Sequence, residues 1–364
     1  MILVAYLISD SFVLAGVAVC TVAALWMALW LDVRFGEPSV RWHPVVWMGN
    51  YLAWAGARIA PTDLKTPATE PDYKAFSLGV FAWMAGAAVV LMASWGVQWL
   101  SLQVLAQLPR ALAAPWAGGA GLKALVLVLC GAATVTALMS WLLKTLLAWA
   151  MLRDEVLAVE AALAPSRGGS VAAGRERLSW LVSRDVSTLS ETQVRESAIE
   201  SLAENLSDSV VAPIFWFMLF GLPGAALYRF ANTADAMWGY PGQYKGRHWA
   251  WAGKWAARAD DVLSWLPSRL TGVWLAAVAG GLPWPMLRAQ ARCTPSPNSG
   301  WPMAAMALAL GVRLEKPGVY TLNPTGRAAQ AADTLRAAVY ASKVVVALVF
   351  IAVPAIFIVV FWML

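Results

Sequence analysis

Four runs, residues 11–31, 77–100, 122–151 and 344–364, are apolar over lengths that can cross a bilayer, and this constrains the fold more than any other feature of the chain. Inside lipid every backbone N–H and C=O must be satisfied internally, so such runs are expected as helices. With 60% hydrophobic residues and 22 tryptophans, the chain is too apolar for an ordinary soluble domain. The expectation is an all-α, polytopic integral-membrane helical bundle forming one domain over residues 1–364. The first run has no Lys or Arg before it and is too long for a signal-peptide core, so it reads as a retained span. Lys144, near the end of the third run, is expected to snorkel to the interface.

The basic residues orient the spans. The segment 32–76 carries Arg34, Arg41, Arg58, Lys65 and Lys74, whereas 101–121 carries only Arg110. Segment 152–208 carries six basic residues. The positive-inside rule then places the first and third loops in the cytoplasm and the N-terminus outside, in the inner membrane of a cell. Two further runs, 209–231 and 270–286, are apolar enough to span. If both crossed, Lys245, Arg247, Lys254, Arg258 and Arg269 would lie outside. The runs are also interrupted, one by Pro213, Gly221 and Pro223, the other by Gly280, Gly281 and Pro283. Broken backbone at membrane depth is tolerated where protein buries it or a wet cavity adjoins it. Re-entrant or bundle-buried broken helices are therefore expected, with 287–343 cytoplasmic. Segments 115–121 and 165–174 read as plain loops.

Polar residues cluster where the hydrophobicity makes them expensive. Glu200, Glu204 and Asp208 stand at i, i+4 and i+8, about 40° apart in turn on an α-helix. Like charges at that spacing destabilise a helix by roughly 0.2–0.5 kcal/mol per pair. No Lys or Arg interleaves, so a hard divalent cation held with Asn205 is the simplest compensation; a solvated acidic face is the competing reading. Other clusters are Gly36-Glu37-Pro38 with His43-Pro44, Ser183-Arg184-Asp185, Asn232-Thr233 with Asp235 and Trp238-Gly239-Tyr240, Arg258 with Asp260-Asp261 and Arg269, and Ser296-Pro297-Asn298 opening an apolar helix. A lone His is more often a structural hydrogen-bonder than a ligand. Arg184, Arg258 and Arg269 suit bidentate phosphate or carboxylate binding, or else salt bridges and interface anchoring. Most tryptophans belong to an interfacial belt; a few, such as Trp238, are candidates to line a pocket for a flat ligand.

Standard nucleotide loops, a His-Glu-x-x-His zinc motif and a Gly-x-Ser-x-Gly elbow are absent. Cys20, Cys130 and Cys293 are scattered and make neither a disulfide framework nor zinc spacing. The net charge of +6 requires no nucleic-acid partner, since excess Lys and Arg mark cytoplasmic loops.

Together, Gly36-Glu37-Pro38 with His43-Pro44, Ser183-Arg184-Asp185, Glu200-Ser201 with Glu204-Asn205 and Asp208, Asn232-Thr233 with Asp235 and Trp238-Gly239-Tyr240, Arg258 with Asp260-Asp261, and Ser296-Pro297-Asn298 with Gly300 resemble the CobD/CbiB family of adenosylcobinamide-phosphate synthases. The match runs in order from about residue 31 to 320. Ser264 stands where many members carry Asn. The resemblance implies an amide-forming ligase of cobalamin biosynthesis. It would join the corrinoid adenosylcobyric acid to (R)-1-aminopropan-2-ol O-phosphate, using ATP as co-substrate and Mg²⁺, and associate with later cobalamin-assembly enzymes. Expected catalytic groups are Glu200, Glu204, Asp235, Asp260 and Asp261. Expected substrate contacts are His43, Arg184, Asp185, Asn232, Trp238, Tyr240, Arg258, Arg269 and Asn298. Expected metal ligands are Glu200, Glu204, Asn205 and Asp208. Two readings of other classes compete. A non-catalytic membrane sensor on the same scaffold, as in the distantly similar AmpE-type proteins, predicts loss of these acids, which the chain retains. A cation-coupled transporter predicts internal repeats and midplane acids.

Overall fold

The computed structural model describes residues 11–62, 70–107 and 120–362; Lys65, Arg110 and segment 115–119 lie outside them. The fold is all-α apart from two short hairpins. Its helices are α1 (Ser11–Phe35), α2 (Pro44–Ile59), α3 (Tyr73–Leu105), α4 (Ala120–Leu146), α5 (Trp149–Leu163), α6 (Val171–Leu178) and α7 (Glu191–Leu206). A π-helical turn (Ser207–Val211) leads into α8 (Ala212–Phe220) and α9 (Leu222–Trp238). After the hairpin β1 (Gln243–Tyr244) and β2 (Arg247–His248) come α10 (Lys254–Val278), α11 (Trp284–Ala291) and α12 (Gly300–Leu310). The hairpin β3 (Leu314–Lys316) and β4 (Tyr320–Leu322) precedes α13 (Ala331–Trp362). Both hairpins are antiparallel. The expectation of one domain meets two compact units, one within Met1–Leu147, Pro213–Asp260 and Val349–Leu364, the other Ala148–Ala212 and Asp261–Leu348.

Among the described residues, four helical segments, Val13–Phe35, Tyr73–Leu105, Gly121–Leu163 and Ala331–Trp362, are long and apolar enough to cross a membrane. Their apolar residues face outward as well as inward: Phe81, Met92, Leu127 and Phe350 are exposed. An exposed apolar surface of this kind is expected where lipid is the solvent. Buried hydroxyls inside these helices donate to the carbonyl one turn back, Thr21 to Val17, Ser94 to Val90 and Ser140 to Thr136, so each is paired within its own helix.

In the first unit α1 packs on α4, and α9 on α2 and α3. The expected break in 209–231 occurs at Gly221, where φ is +68°. The chain restarts as α9 with Pro223 in its first turn, and the buried Leu222 N–H donates to the buried Gln98 Oε1 at 3.1 Å. A helix start buried without such a partner would leave an orphan donor. The second expected break occurs at Gly280 and Gly281, with φ +89° and +103°.

Three expectations need correction here. The third span does not run straight through 122–151: α4 ends at Leu146 and α5 starts at Trp149. Ala148 leaves the helical region, and its N–H reaches the Ser209 carbonyl at 3.1 Å. That acceptor belongs to the π turn. Lys144 does not snorkel; it is 4% exposed and lies 3.7 Å from Glu37 Oε2. A carboxylate within reach holds the ammonium in place without water. Segment 165–174 is not a plain loop, because Ser170 caps α6 by accepting from the Ala173 N–H.

In the second unit α7 is central. It starts with a capping box between Ser190 and Gln193. It packs on α5, α6, α12 and β3. Arg195 on α7 donates to both oxygens of Glu160 on α5 at 3.0 and 2.9 Å, and Thr334 donates to the same carboxylate at 2.8 Å. This saturated network sets the helix against its neighbours.

Candidate functional site

The acidic face is real and one turn longer than the sequence reading has it. Glu196 precedes Glu200 by four residues on α7 and is 0% exposed, with neither carboxylate oxygen hydrogen-bonded. The missed signal was simply the continuation of the i, i+4 stripe. Burial pushes the Glu196 carboxyl up to about 7, against the opposing charge of Arg313. Glu200 is 5% exposed and is also raised to about 7, chiefly by burial, with Arg184 opposing the rise and Glu204 adding to it. Arg184 Nη2 lies 3.4 Å from Glu200 Oε2 and donates to Ser197 Oγ, which fixes the guanidinium against α7. Tyr320 of β4 faces Glu200, and burial beside that carboxylate pushes its phenol well up. Glu200 Oε1 is nonetheless buried without a hydrogen-bond partner. Tyr320, Arg313 and Glu315 come from the second hairpin, far from α7 in sequence, and no spacing rule could have attached them to it.

Glu204 and Asn205 are half-buried on the next turn. Asn205 Nδ2 donates to Ser201 O at 2.9 Å, leaving Oδ1 as its ligand-capable atom. Asp208 lies in the π turn, whose wider spacing takes it out of straight α register. Among the described residues no group of three or more His, Cys, Asp and Glu side chains is arranged to hold a metal ion. The expected set Glu200, Glu204, Asn205 and Asp208 is therefore not an assembled cage. The residues do fit a looser demand. Magnesium at phosphoryl-transfer sites is usually bound by one or two carboxylates, with water and substrate phosphates completing the shell. Glu204 and Asn205 Oδ1 supply such an oxygen set, one turn from Glu200.

Asp185 is exposed and accepts from the Ser187 N–H at 2.9 Å; this bond holds its carboxyl below the usual range. Arg269 of α10 donates to Asn298 Oδ1 at 3.0 Å and to the Trp265 and Pro297 carbonyls at 2.6 and 3.2 Å. Asn298 is buried and donates to the Asp261 carbonyl at 2.8 Å. Its amide oxygen thus helps to hold Arg269 in place.

In the first unit, Asn232 and Asp235 both lie on α9, and Asn232 Nδ2 donates to Asp260 Oδ1 at 3.4 Å. Asp260 and Asp261 both sit inside α10, where adjacent residues point in different directions. Gly239 packs against the Asp235 carboxylate, and its N–H caps the Asp235 carbonyl at 2.7 Å. Tyr240 stacks on Tyr244 with ring centroids 3.7 Å apart. Arg258 is exposed. His43 uses both ring nitrogens, one against Glu37 at 2.9 Å and one accepting from the Val45 N–H at 3.3 Å. It caps α2, which is the structural role a lone His usually has. Trp238 is not a ligand wall. It is 1% exposed, donates to Leu52 O at 3.1 Å and stacks on Trp249. Gly56 makes room for it, because a Cβ there would stand 2.8 Å from the Trp238 indole nitrogen.

Four described helical segments of membrane-spanning length, and buried carboxylates carried on the shorter helix α7, define the class as a helical membrane protein. The family model described as CobD/Cbib protein matches residues 25–343. A probable cobalamin biosynthesis protein CobD of Methanothermobacter thermautotrophicus is 38% identical over 83% of this chain and 86% of its own length. The cobalamin biosynthesis proteins CobD of Chromobacterium violaceum and Brucella anthropi are 37% and 34% identical, over 79% and 87% of this chain and 79% and 90% of theirs. The chain belongs to the CobD/CbiB family, and with it has a role in cobalamin biosynthesis. No solved structure matches it.

Proposed function

We propose that this chain is the membrane-bound ligase that joins adenosylcobyric acid to (R)-1-aminopropan-2-ol O-phosphate, with ATP and Mg²⁺, to give adenosylcobinamide phosphate. Family membership supports the reading. The observation that carries it is Glu200, a buried carboxylate held near neutrality beside Arg184. Amide formation needs the carboxyl group activated and the amine deprotonated. The substrate carboxylate takes the terminal phosphoryl group of ATP, and ADP leaves. The amine nitrogen then attacks the acyl carbon, the C–N bond forms and phosphate departs with the C–O electron pair. The amine proton passes to Glu200, whose pKa near 7 suits a general base at cytoplasmic pH. Arg184 holds that carboxylate in place and supplies positive charge for the anionic reactants. Glu204 and Asn205 are the groups that would hold magnesium, which supplies charge neutralisation of the polyphosphate. The enzyme works in the inner membrane with its polar groups facing the cytoplasm, where both soluble reactants are. The acids lie on α7, outside the four membrane-length helices, which favours a synthase over a transmembrane cation relay.

The test is incubation of the purified full chain with adenosylcobyric acid, aminopropanol phosphate and Mg-ATP. The expected result is the amide product with one ADP per amide. Absence of product with all three reactants present overturns the reading.

A further inference from the structure

The second unit contains a cavity of about 500 Å³ between the end of α11, the turn 294–299 and the start of α12, closed on one side by α10. Ligand pockets commonly fall in the range of about 300–1,000 Å³. Gly272 allows the close approach of α10 and α12, since a Cβ there would meet the Trp301 carbonyl oxygen at 3.2 Å. Three arginines line the space, Arg269, Arg288 and Arg292, and no carboxylate does.

The three are held differently. Arg269 is fixed by its bonds to Asn298 and two carbonyls, and its guanidinium lies 4.3 Å from the Trp265 ring and 5.2 Å from the Trp301 ring. It therefore presents its charge without the entropy loss of a loose side chain. Arg288 lies in the last turn of α11 and Arg292 is its C-cap four residues on, both exposed at the cavity rim. Among the described residues neither side chain makes an ion pair or a hydrogen bond; the Arg292 backbone N–H donates to the Ala289 carbonyl at 3.3 Å. Like charges at that spacing repel, and their place at the C-terminal end of α11 offsets part of that cost. Ser296 accepts from the Asn298 and Ser299 N–H groups at 3.2 Å each, which leaves its hydroxyl proton to donate.

We propose that this pocket binds a phosphate group, gripped by Arg288 and Arg292 and seated on the fixed Arg269. Planar guanidinium groups match phosphate oxygens in bidentate fashion, and three of them exceed what one carboxylate needs. Trp265 and Trp301 hold the Arg269 guanidinium in place from two sides. The phosphate belongs either to a soluble phosphorylated molecule or to the headgroup of an anionic phospholipid. The anion chemistry stands on the pocket alone; that the anion is a reactant of the ligase rests on the reading above.

The experiment titrates inorganic pyrophosphate into the full chain by calorimetry, in phosphatidylcholine nanodiscs with EDTA and without corrinoid or ATP. Failure of the ligase assay therefore leaves this measurement intact. A second arm measures retention of phosphatidylglycerol by native mass spectrometry. Arg288 and Arg292 have no partners to lose, so the R288A/R292A double variant is expected to fold with an unchanged melting temperature. Saturable pyrophosphate binding, weakened tenfold or more in R288A/R292A and falling with salt, assigns the pocket to a soluble phosphate. Phosphatidylglycerol retained by the wild type and lost in the variant, without pyrophosphate binding, assigns it to a headgroup. Binding of neither probe, or binding of either that the double variant leaves unchanged, overturns the proposal.

Discussion

Glu200→Gln should make the protein more stable and less active, and the stability gain should depend on pH in a defined direction. The Glu200 carboxyl is raised from the ordinary 4.5 to about 7 because the folded chain buries it. A raised carboxylate pKa means that the folded state binds the proton more tightly than the unfolded chain does. Its contribution is fully present below pH 4.5 and is lost as pH rises through the window to about 7. At about 1.4 kcal/mol per unit, ionising Glu200 in place costs about 3 kcal/mol, an upper figure if water reaches the site. Glutamine keeps the shape and stays neutral, so it avoids that cost above pH 7 and gains little near pH 5. In a two-state approximation, a 3 kcal/mol gain raises the melting temperature of a unit this size by several degrees. The assay is thermal unfolding of wild type and Glu200→Gln in one detergent, from pH 5 to 8.5. The melting-temperature difference should open between pH 5 and 7.5 and then level off, while ligase turnover falls by at least a hundredfold if Glu200 is the base. A difference independent of pH, or a variant less stable than wild type at pH 8, would refute the account of Glu200 as a carboxylate buried against its own charge.

Three further outcomes follow from other parts of the molecule. Glu204→Gln should fold normally but require a higher Mg²⁺ concentration for half-maximal turnover, read by a magnesium titration of the ligase assay; an unchanged titration removes Glu204 from the metal ligands. Gln98→Leu should cost roughly 1–3 kcal/mol, because the buried Leu222 N–H loses its acceptor, and should appear as a lower melting temperature without a change in KM. Lys245→Cys, placed on the exposed first hairpin in a chain lacking Cys20, Cys130 and Cys293, should react with a membrane-impermeant thiol reagent only from the cytoplasmic side; labelling from outside would mean that 209–231 and 270–286 both cross.

The membrane class and the positions of the broken helices were legible in the sequence because they depend on local properties. Twenty apolar residues in a row have few other fates, and Gly221, Gly280 and Gly281 stand where the chain adopts positive φ that other residues resist. The acidic face of α7 was legible for the same reason, since helical period alone aligns Glu200 with Glu204. What the face does depends on tertiary contacts. Whether Glu200 is a solvated charge or a near-neutral base rests on its burial and on Arg184 and Tyr320, which reach it from other elements. Lys144 and Trp238 show the same limit from the other side. The lysine at a helix end and the tryptophan beside a polar motif suggested an interface anchor and a ligand wall, and packing made both of them interior groups, with Glu37 and Leu52 as their partners. The arginine-lined cavity, with Arg269 from α10 and Arg288 and Arg292 from the end of α11, had no sequence signature at all. Local periodicity determines which faces a helix offers, but burial and charge pairing are sums over neighbours distant in sequence, and only the folded chain selects those neighbours.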